Sequence, residues 1–92
     1  MEKLLWYLIA GTRGGELRGK IICLIKNKPC NAHEIAKKLK IDYKTSRHHL
    51  NVLEKNKIIE QIDKGNYGSV YFISDWLKYN MQKFEMIWER FG

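Results

Sequence analysis

The stretch Asn31–Leu53, NAHEIAKKLKIDYKTSRHHLNVL, decides the fold of this chain. Its first half begins with Asn31, a residue that caps helices well, and Glu34 follows three residues later. This is the spacing of a capping box, in which the two side chains and two backbone N–H groups satisfy one another at the start of a helix. The pattern predicts a short helix over Ala32–Leu39.

The second half of the stretch predicts another helix directly after a tight turn. Lys40-Ile41 forms the turn, and Asp42 is a suitable N-cap for a helix over about Tyr43–Lys55. Two short helices joined in this way are typical of a helix-turn-helix, whose second helix lies in the major groove of DNA. We therefore predict a helix-turn-helix over residues 31–55, with the later helix as the recognition helix.

The recognition helix has two different faces. At 100° per residue, one face carries Ser46, His49, Leu50 and Leu53, and the opposite face carries Lys44, Arg47, His48, Asn51 and Lys55. The first set is expected to pack inward, with His49 as a buried histidine and Ser46 allowing close approach of two helices. The second set is expected to face outward.

A β-hairpin is predicted after the recognition helix. Ile58–Asp63 and Ser69–Ile73 are rich in residues that favour strands, and the loop between them contains two glycines. A hairpin in this place is the wing of a winged helix-turn-helix. We predict a single domain over residues 1–92, mainly α with a small β-hairpin at residues 58–73, in the order α-α-α-α-β-β-α.

Helices are also predicted on both sides of this block. The apolar segment Met1–Ala10 is followed by a glycine-rich break, and a second helix runs from about Glu16 to Asn27. Ser74 caps a last helix, Asp75–Phe91. The apolar run in the first segment is too short to span a bilayer, so we expect a cytoplasmic protein.

The positive charge of the chain is concentrated on the helix-turn-helix. The formal net charge is +7, and residues 26–57 contain nine Lys or Arg against three acids. The other sixty residues contain eight against seven. This distribution is the one that phosphate neutralisation requires, whereas a generally basic surface would spread the charge.

The outer face of the recognition helix predicts contacts with double-stranded DNA. Arg47 suits bidentate contact with guanine O6 and N7. We expect DNA contacts from Tyr43, Lys44, Thr45, Arg47, His48 and Asn51 on the helix, and from Lys64, Asn66 and Tyr67 on the hairpin loop. The plain alternative for such residues is a solvated charged face. Tyr67 equally fits packing against the hairpin, and Arg13 and Arg18 fit either phosphate contact or ordinary surface exposure.

The last helix has an apolar stripe that predicts a dimer. Its large apolar residues recur at steps of four and three, as in helices that pack side by side. So small a domain is expected to be unable to bury both this stripe and the apolar first helix. We therefore expect residues 1–10 and 75–91 of two chains to pair, through Leu4, Leu5, Leu8, Leu77, Met81, Phe84, Trp88 and Phe91.

Three sequence segments resemble the winged-helix regulators of the ArsR-like superfamily. They are RGG at residues 13–15, DYKTSRHHL at residues 42–50, and YGSVYF at residues 67–72. The similarity covers roughly Gly11 to Ser74 and is strongest to a group common in archaea. It implies a DNA-binding homodimer that acts mainly as a repressor or local regulator. The two-fold dimer predicted above would require an inverted-repeat operator.

The sequence departs from the metal-sensing members of that superfamily. The helix before the recognition helix offers only Cys30 and His33, and the last helix has no histidine or cysteine. We therefore expect no metal and no cofactor, and leave any small-molecule effector open. A metal sensor that also uses Cys23, and a redox sensor through an exposed Cys30 whose pKa is lowered by lysines, are the alternatives.

Other classes of function are less well supported by the residues. The chain has no glycine-rich phosphate loop, nucleophile elbow or paired carboxylates, so an enzyme is not expected. The main rivals are a non-specific architectural or chromatin protein and a winged-helix module that binds another protein. The varied polar groups on the recognition helix favour specific DNA binding over both.

Overall fold

A computed structural model of the chain describes residues 1–63 and 68–91. The elements, in chain order, are α1 (Glu2–Ala10), α2 (Gly15–Asn27), β1 (Cys30–Asn31), α3 (Ala32–Leu39), α4 (Tyr43–Lys55), β2 (Ile59–Gln61), β3 (Val70–Ile73), α5 (Asp75–Tyr79) and α6 (Met81–Phe91). The prediction of a mainly α fold with a small β-hairpin is confirmed, and β2 and β3 form that hairpin as an antiparallel pair. None of the helices in the described ranges is long and apolar enough to cross a membrane.

Both helices of the predicted helix-turn-helix have the expected caps and bounds. The Asn31 side chain accepts a hydrogen bond from the Glu34 N–H at 2.8 Å, and the Glu34 carboxylate accepts one from the Asn31 N–H at 2.9 Å. The Asp42 carboxylate accepts a hydrogen bond from the Thr45 N–H at 2.7 Å. This hydrogen bond holds the pKa of the Asp42 carboxyl below its usual value. The caps fix where α3 and α4 begin.

The β-sheet has three strands, one more than the sequence predicted. Its order is β1-β3-β2 and its strands are antiparallel, with Tyr71 of the central strand opposite Cys30 on one side and Gln61 on the other. The two wing strands are also shorter than predicted. β1 has only two residues, too few for an alternating pattern to show, and it ties the wing to the start of α3.

The predicted last helix is interrupted. The prediction of one continuous helix over Asp75–Phe91 is therefore wrong. α5 ends at Tyr79, and Asn80 has φ −119° and ψ 21°. The Asn80 side-chain amide donates to the carbonyl oxygen of Trp76 at 2.8 Å. Such side-chain bonds to the local backbone compete with helical hydrogen bonds, which is why asparagine ends a helix here.

The terminal helices pack within one chain, contrary to the size argument made from the sequence. Leu5 and Leu8 of α1, Leu77 of α5 and Phe84 of α6 are buried in the core together with the helix-turn-helix. These four residues of the predicted dimer interface are thus core residues. α1 and α6 cover each other's apolar faces, and α5 buries Leu77 in the same core.

The start of α2 depends on two adjacent glycines. Gly14 has φ 89°, a left-handed conformation that favours glycine, and a Cβ there would lie 2.7 Å from Cε1 of His49. A Cβ on Gly15 would overlap the backbone carbonyl of Ile9. The glycines therefore allow α2 to begin directly against α1 and the recognition helix.

We expect Gly15→Ala to lower the free energy of unfolding by about 3 kcal/mol, because the methyl group meets backbone that cannot move aside. Denaturant unfolding measures the change. Lys20→Ala is the matched control, since Lys20 is an exposed residue of the same helix and its ion pair with Glu16 is on the surface. The control is expected to change stability by less than about 0.5 kcal/mol. A Gly15→Ala protein as stable as the control would contradict the close approach of α1 and α2.

Candidate nucleic-acid interface

The inner face of α4 fixes the orientation of the recognition helix. Ser46, His49, Leu50 and Leu53 are all buried, which confirms the prediction for this face. The Ser46 hydroxyl donates to the carbonyl oxygen of Ala32 at 2.9 Å. This bond joins the start of α3 to α4 and is possible because serine is small enough for the two helices to approach.

The outer face of α4 is accessible along its whole length. Lys44, His48 and Asn51 are exposed, and Thr45 is half-buried. Tyr43, at the start of the helix, is also exposed, and its ring stacks on His33 of α3 with centroids 4.2 Å apart. Five of the six predicted DNA-contact residues of the helix are thus accessible. They place hydrogen-bond donors, acceptors and one lysine cation at successive positions along the helix axis.

Arg47 is the sixth, and it is held by the wing. Its guanidinium Nη1 donates to the hydroxyl of Tyr71 at 2.6 Å. Arg47 is half-buried, and Tyr71 is 1% exposed at the centre of the sheet. The contact joins the recognition helix to β3.

A second arginine, Arg18, is buried behind the recognition helix. Its Nε donates to the carbonyl oxygen of Leu8 at 2.8 Å, and its Nη2 contacts the hydroxyl of Thr12 and the carbonyl oxygen of Arg13. Its Nη1 lies 3.4 Å from Nδ1 of His49. At 4% exposure Arg18 is neither a surface residue nor a phosphate contact, so both alternatives from the sequence are wrong for it.

His49 is a packed histidine with a lowered pKa. Burial is the largest cause, and the nearby Arg18 guanidinium and, after it, the neighbouring His48 lower the pKa of His49 further. In the neutral ring Nδ1 can accept from the Arg18 guanidinium, which a protonated ring cannot do. The neutral form therefore favours the contact between α2 and the recognition helix.

A cleft of about 520 Å³ lies beside this contact. It is lined by Arg13, Gly14, Glu16, Leu17, His48 and His49. Arg13 is exposed or half-buried at its rim, so this cation remains accessible next to the recognition helix, unlike Arg18. The three wing-loop residues predicted to contact DNA, Lys64, Asn66 and Tyr67, lie outside the described residues.

The excess of basic residues found in the sequence is on the surface of the helix-turn-helix block. Its exposed lysines include Lys26, Lys28, Lys37, Lys38, Lys40, Lys44 and Lys55. Lys26 pairs with Glu85 of α6 at 2.7 Å. Exposed lysines of this kind suit contact with the phosphates of a nucleic acid. The mixed hydrogen-bonding groups on the helix between them suit contact with its bases.

The cysteines are placed differently from the expectation for a redox sensor. Cys30 is 1% exposed, and its thiol donates to the carbonyl oxygen of Lys28. Burial, as the largest effect, raises the pKa of this thiol rather than lowering it. The expectation of an exposed Cys30 is wrong because β1 pairs with β3. Within residues 1–63 and 68–91, no group of three His, Cys, Asp or Glu residues could hold a metal ion.

The two residues whose roles the sequence did not indicate are Arg18 and Tyr71. Arg18 shares one helical face with Ile21, Ile22 and Ile25, so its spacing was a signal for burial. The partner of Tyr71 had no comparable signal, because a contact between a helix and a strand depends on how the two elements are placed in space.

These features, a capped helix pair, a recognition helix with a buried inner face and a wing strand behind it, define a winged helix-turn-helix. A family model described as bacterial regulatory protein, arsR family, matches residues 15–61, just over half of the chain. The chain therefore belongs to this family, as the sequence resemblance predicted. The match includes α2, both helices of the helix-turn-helix and β2.

Solved structures share the winged helix-turn-helix fold of this chain. A point mutant of ZitR from Lactococcus lactis has a TM-score of 0.65 and 17% identity, over 80% of this chain and 52% of its own. Wild-type ZitR of the same organism, in complex with DNA, has a TM-score of 0.65 and 16% identity, over 82% and 53%. The transcriptional regulator SlyA has a TM-score of 0.61 and 15% identity, over 92% and 68%.

The chain thus spans about half the length of the ZitR chains that it matches. At these identities the similarity shows a shared fold. No curated protein matches the sequence.

The lowered pKa of His49 predicts a loss of stability in acid. Because the folded protein binds this proton more weakly than the unfolded chain, the contribution is complete above the ordinary pKa of 6.5 and declines as the pH falls through that value. We expect the free energy of unfolding to be lower at about pH 5 than at about pH 7.5, with a smaller difference in His49→Gln.

Denaturant unfolding at the two pH values measures this effect. His33→Gln is the control, because it removes an exposed imidazole from a different helix and is expected to keep the wild-type difference. If His49→Gln retained the full wild-type difference, the assignment of a neutral, packed His49 would be wrong.

Proposed function

We propose that this protein is a sequence-specific, double-stranded DNA-binding transcriptional regulator that acts as a homodimer and as a repressor. The observation that carries the proposal is the division of α4 into a buried face and an accessible face with mixed polar groups. Membership of the arsR family of regulatory proteins supports it. The structural similarity to ZitR, a protein solved in complex with DNA, is consistent with the same use of the fold.

In this proposal α4 enters the major groove with its first two turns nearest the bases. Arg47 contacts a guanine, and Lys44 contacts a guanine or a phosphate. Tyr43, Thr45, His48 and Asn51 supply further base or backbone contacts, and the wing loop, with Lys64, Asn66 and Tyr67, contacts phosphate or the minor groove. Exposed lysines of α3 and the turn neutralise neighbouring phosphates, so affinity depends on salt.

The dimer would use the parts of α1 and the last helix that the single chain leaves accessible. Of the residues expected from the sequence, Phe91 is 57% exposed, and Leu4, Met81 and Trp88 are half-buried. Phe91 packs edge-to-face on Trp6 of α1, so both terminal helices contribute to this surface. Pairing about a two-fold axis would place two recognition helices about 34 Å apart, one turn of DNA.

Two finer expectations from the sequence belong to the same proposal. A dimer on an operator that overlaps a promoter would repress transcription by excluding the polymerase. The segments DYKTSRHHL and YGSVYF further suggest the regulator group that is common in archaea. We also propose a cytoplasmic location, where the DNA is.

Selection of bound duplexes from a random DNA pool by the purified protein tests the proposal. We expect an enriched inverted repeat with half-sites about one helical turn apart, roughly 10 base pairs. Arg47→Ala is expected to relax the preference at one position in each half-site, by about 1–3 kcal/mol. Lys20→Ala, which removes an exposed cation of α2, is the matched control and should keep the preference.

Other outcomes of the selection would point to the rival functions. Binding without any enriched motif would favour a non-specific architectural protein. Failure to bind any duplex would contradict DNA binding and favour a protein partner.

The dimer surface has its own test. We expect Phe91→Glu to dissociate the dimer at micromolar concentration, because a carboxylate would be buried in an apolar contact between two chains. Sedimentation equilibrium measures the change. Ile62→Glu is the control, since it places the same charge on an exposed apolar residue of the wing, away from α1 and α6. Equal dissociation of both variants, or of neither, would argue against an interface at α1 and α6.

A further inference from the structure

Arg47, the residue best suited to contacting a base, is hydrogen-bonded to Tyr71, a buried residue of the central strand. The guanidinium Nη1 donates to the phenolic oxygen at 2.6 Å. A hydrogen bond from a charged donor at this distance is stronger than one between neutral groups. It joins α4 to β3 through two residues that are 24 positions apart in the chain.

Tyr71 is a fixed acceptor. It is 1% exposed and lies on the central strand, opposite Cys30 of β1 and Gln61 of β2. Burial also raises the pKa of its hydroxyl, so the group remains a neutral phenol at physiological pH. A strand held on both sides has little freedom to shift its side chain, and the position of the oxygen is therefore set by the sheet.

Arg47 retains enough donors for a base after this contact. A guanidinium carries five N–H groups in a rigid plane, and one of them goes to Tyr71. Bidentate recognition of guanine uses two. Holding one corner of the plane restricts the long side chain before DNA arrives, so less rotamer entropy is lost on binding.

We propose that Tyr71 is a specificity-determining positioning residue, which orients the Arg47 guanidinium so that its free edge meets O6 and N7 of a guanine in the major groove. This inference rests on the proposed function and adds to it the residue that aims the base contact. Tyr71 itself is buried and acts only through Arg47. Affinity for phosphates should be independent of it.

Tyr71→Phe tests the proposal, because it removes the hydroxyl and keeps the ring in the core. The selected motif and the Arg47→Ala variant first identify the base pair that Arg47 reads. Duplexes that carry each of the four base pairs at that position are then titrated with the wild type and with Tyr71→Phe. Tyr79→Phe, which removes a hydroxyl from an 85% exposed tyrosine of α5, is the matched control.

We expect Tyr71→Phe to reduce discrimination between guanine and the other bases by about threefold to tenfold, the value of one hydrogen bond. The slope of affinity against salt concentration should stay at the wild-type value, because no phosphate contact is lost. In the Arg47→Ala background, Tyr71→Phe should have no further effect on discrimination. Tyr79→Phe should behave as the wild type throughout.

Three results would overturn the inference. Unchanged discrimination in Tyr71→Phe, with a motif still selected, would leave the proposed function standing and remove the role of Tyr71. An equal loss in the Arg47→Ala background would show that Tyr71 acts through another route. A wild type that selects no motif would overturn the proposed function, and this inference with it.

A measurement on the wild-type protein without DNA tests the contact between Arg47 and Tyr71 even if the Tyr71→Phe variant folds poorly. In NMR spectra of the arginine side chains, a guanidinium held by Tyr71 should show slow rotation and separately resolved Nη protons. The Arg47 signals should be resolved in the wild type and averaged in Tyr71→Phe. Averaged Arg47 signals in the wild type would contradict the contact directly.

Discussion

The buried guanidinium of Arg18 is the point at which the parts of this small fold meet. It bonds to the end of α1 through Leu8, to the turn before α2 through Thr12 and Arg13, and lies against His49 of the recognition helix. A charge removed from water is costly unless its hydrogen-bonding groups are satisfied. The carbonyl oxygens, hydroxyl and imidazole must therefore stay in place together, and α1, α2 and α4 are held in one arrangement. Gly14 is a consequence, because a Cβ there would lie 2.7 Å from Cε1 of His49 and 3.1 Å from Nη1 of Arg18 and would separate these two groups.

Much of this arrangement can be predicted from residues that are close together in the sequence. The bounds of α3 and α4 follow from Asn31, Glu34 and Asp42, since capping depends on residues a few positions apart. The inward face of α4, including His49, follows from helical spacing alone. The candidate contact residues on the opposite face are the direct result of that division, and so they too could be named from the sequence.

The features that could not be predicted depend on distant partners. The two-residue strand β1 exists only because β3 lies beside it, and its formation buries Cys30. The partner of Arg47 comes from the wing, and α1 and α6 cover each other although they are far apart in the chain. Asn80 ends α5 within a stretch whose apolar spacing continues unbroken. In each case the deciding contact is set by tertiary packing rather than by neighbouring residues.

The thiol of Cys30 can serve as a chemical probe of local opening of the molecule. It lies in the short strand that connects the wing to α3, and its sulfur is inaccessible while that strand is paired. A neutral alkylating reagent reaches a buried thiol when the structure around it opens locally, so the rate of modification of Cys30 reports how often this part of the molecule opens. Cys23 of α2 is half-buried and provides an internal reference for reactivity. The pairing of β1 with β3 thus attaches the wing to the helix pair, and alkylation of Cys30 can measure the free energy of local opening there.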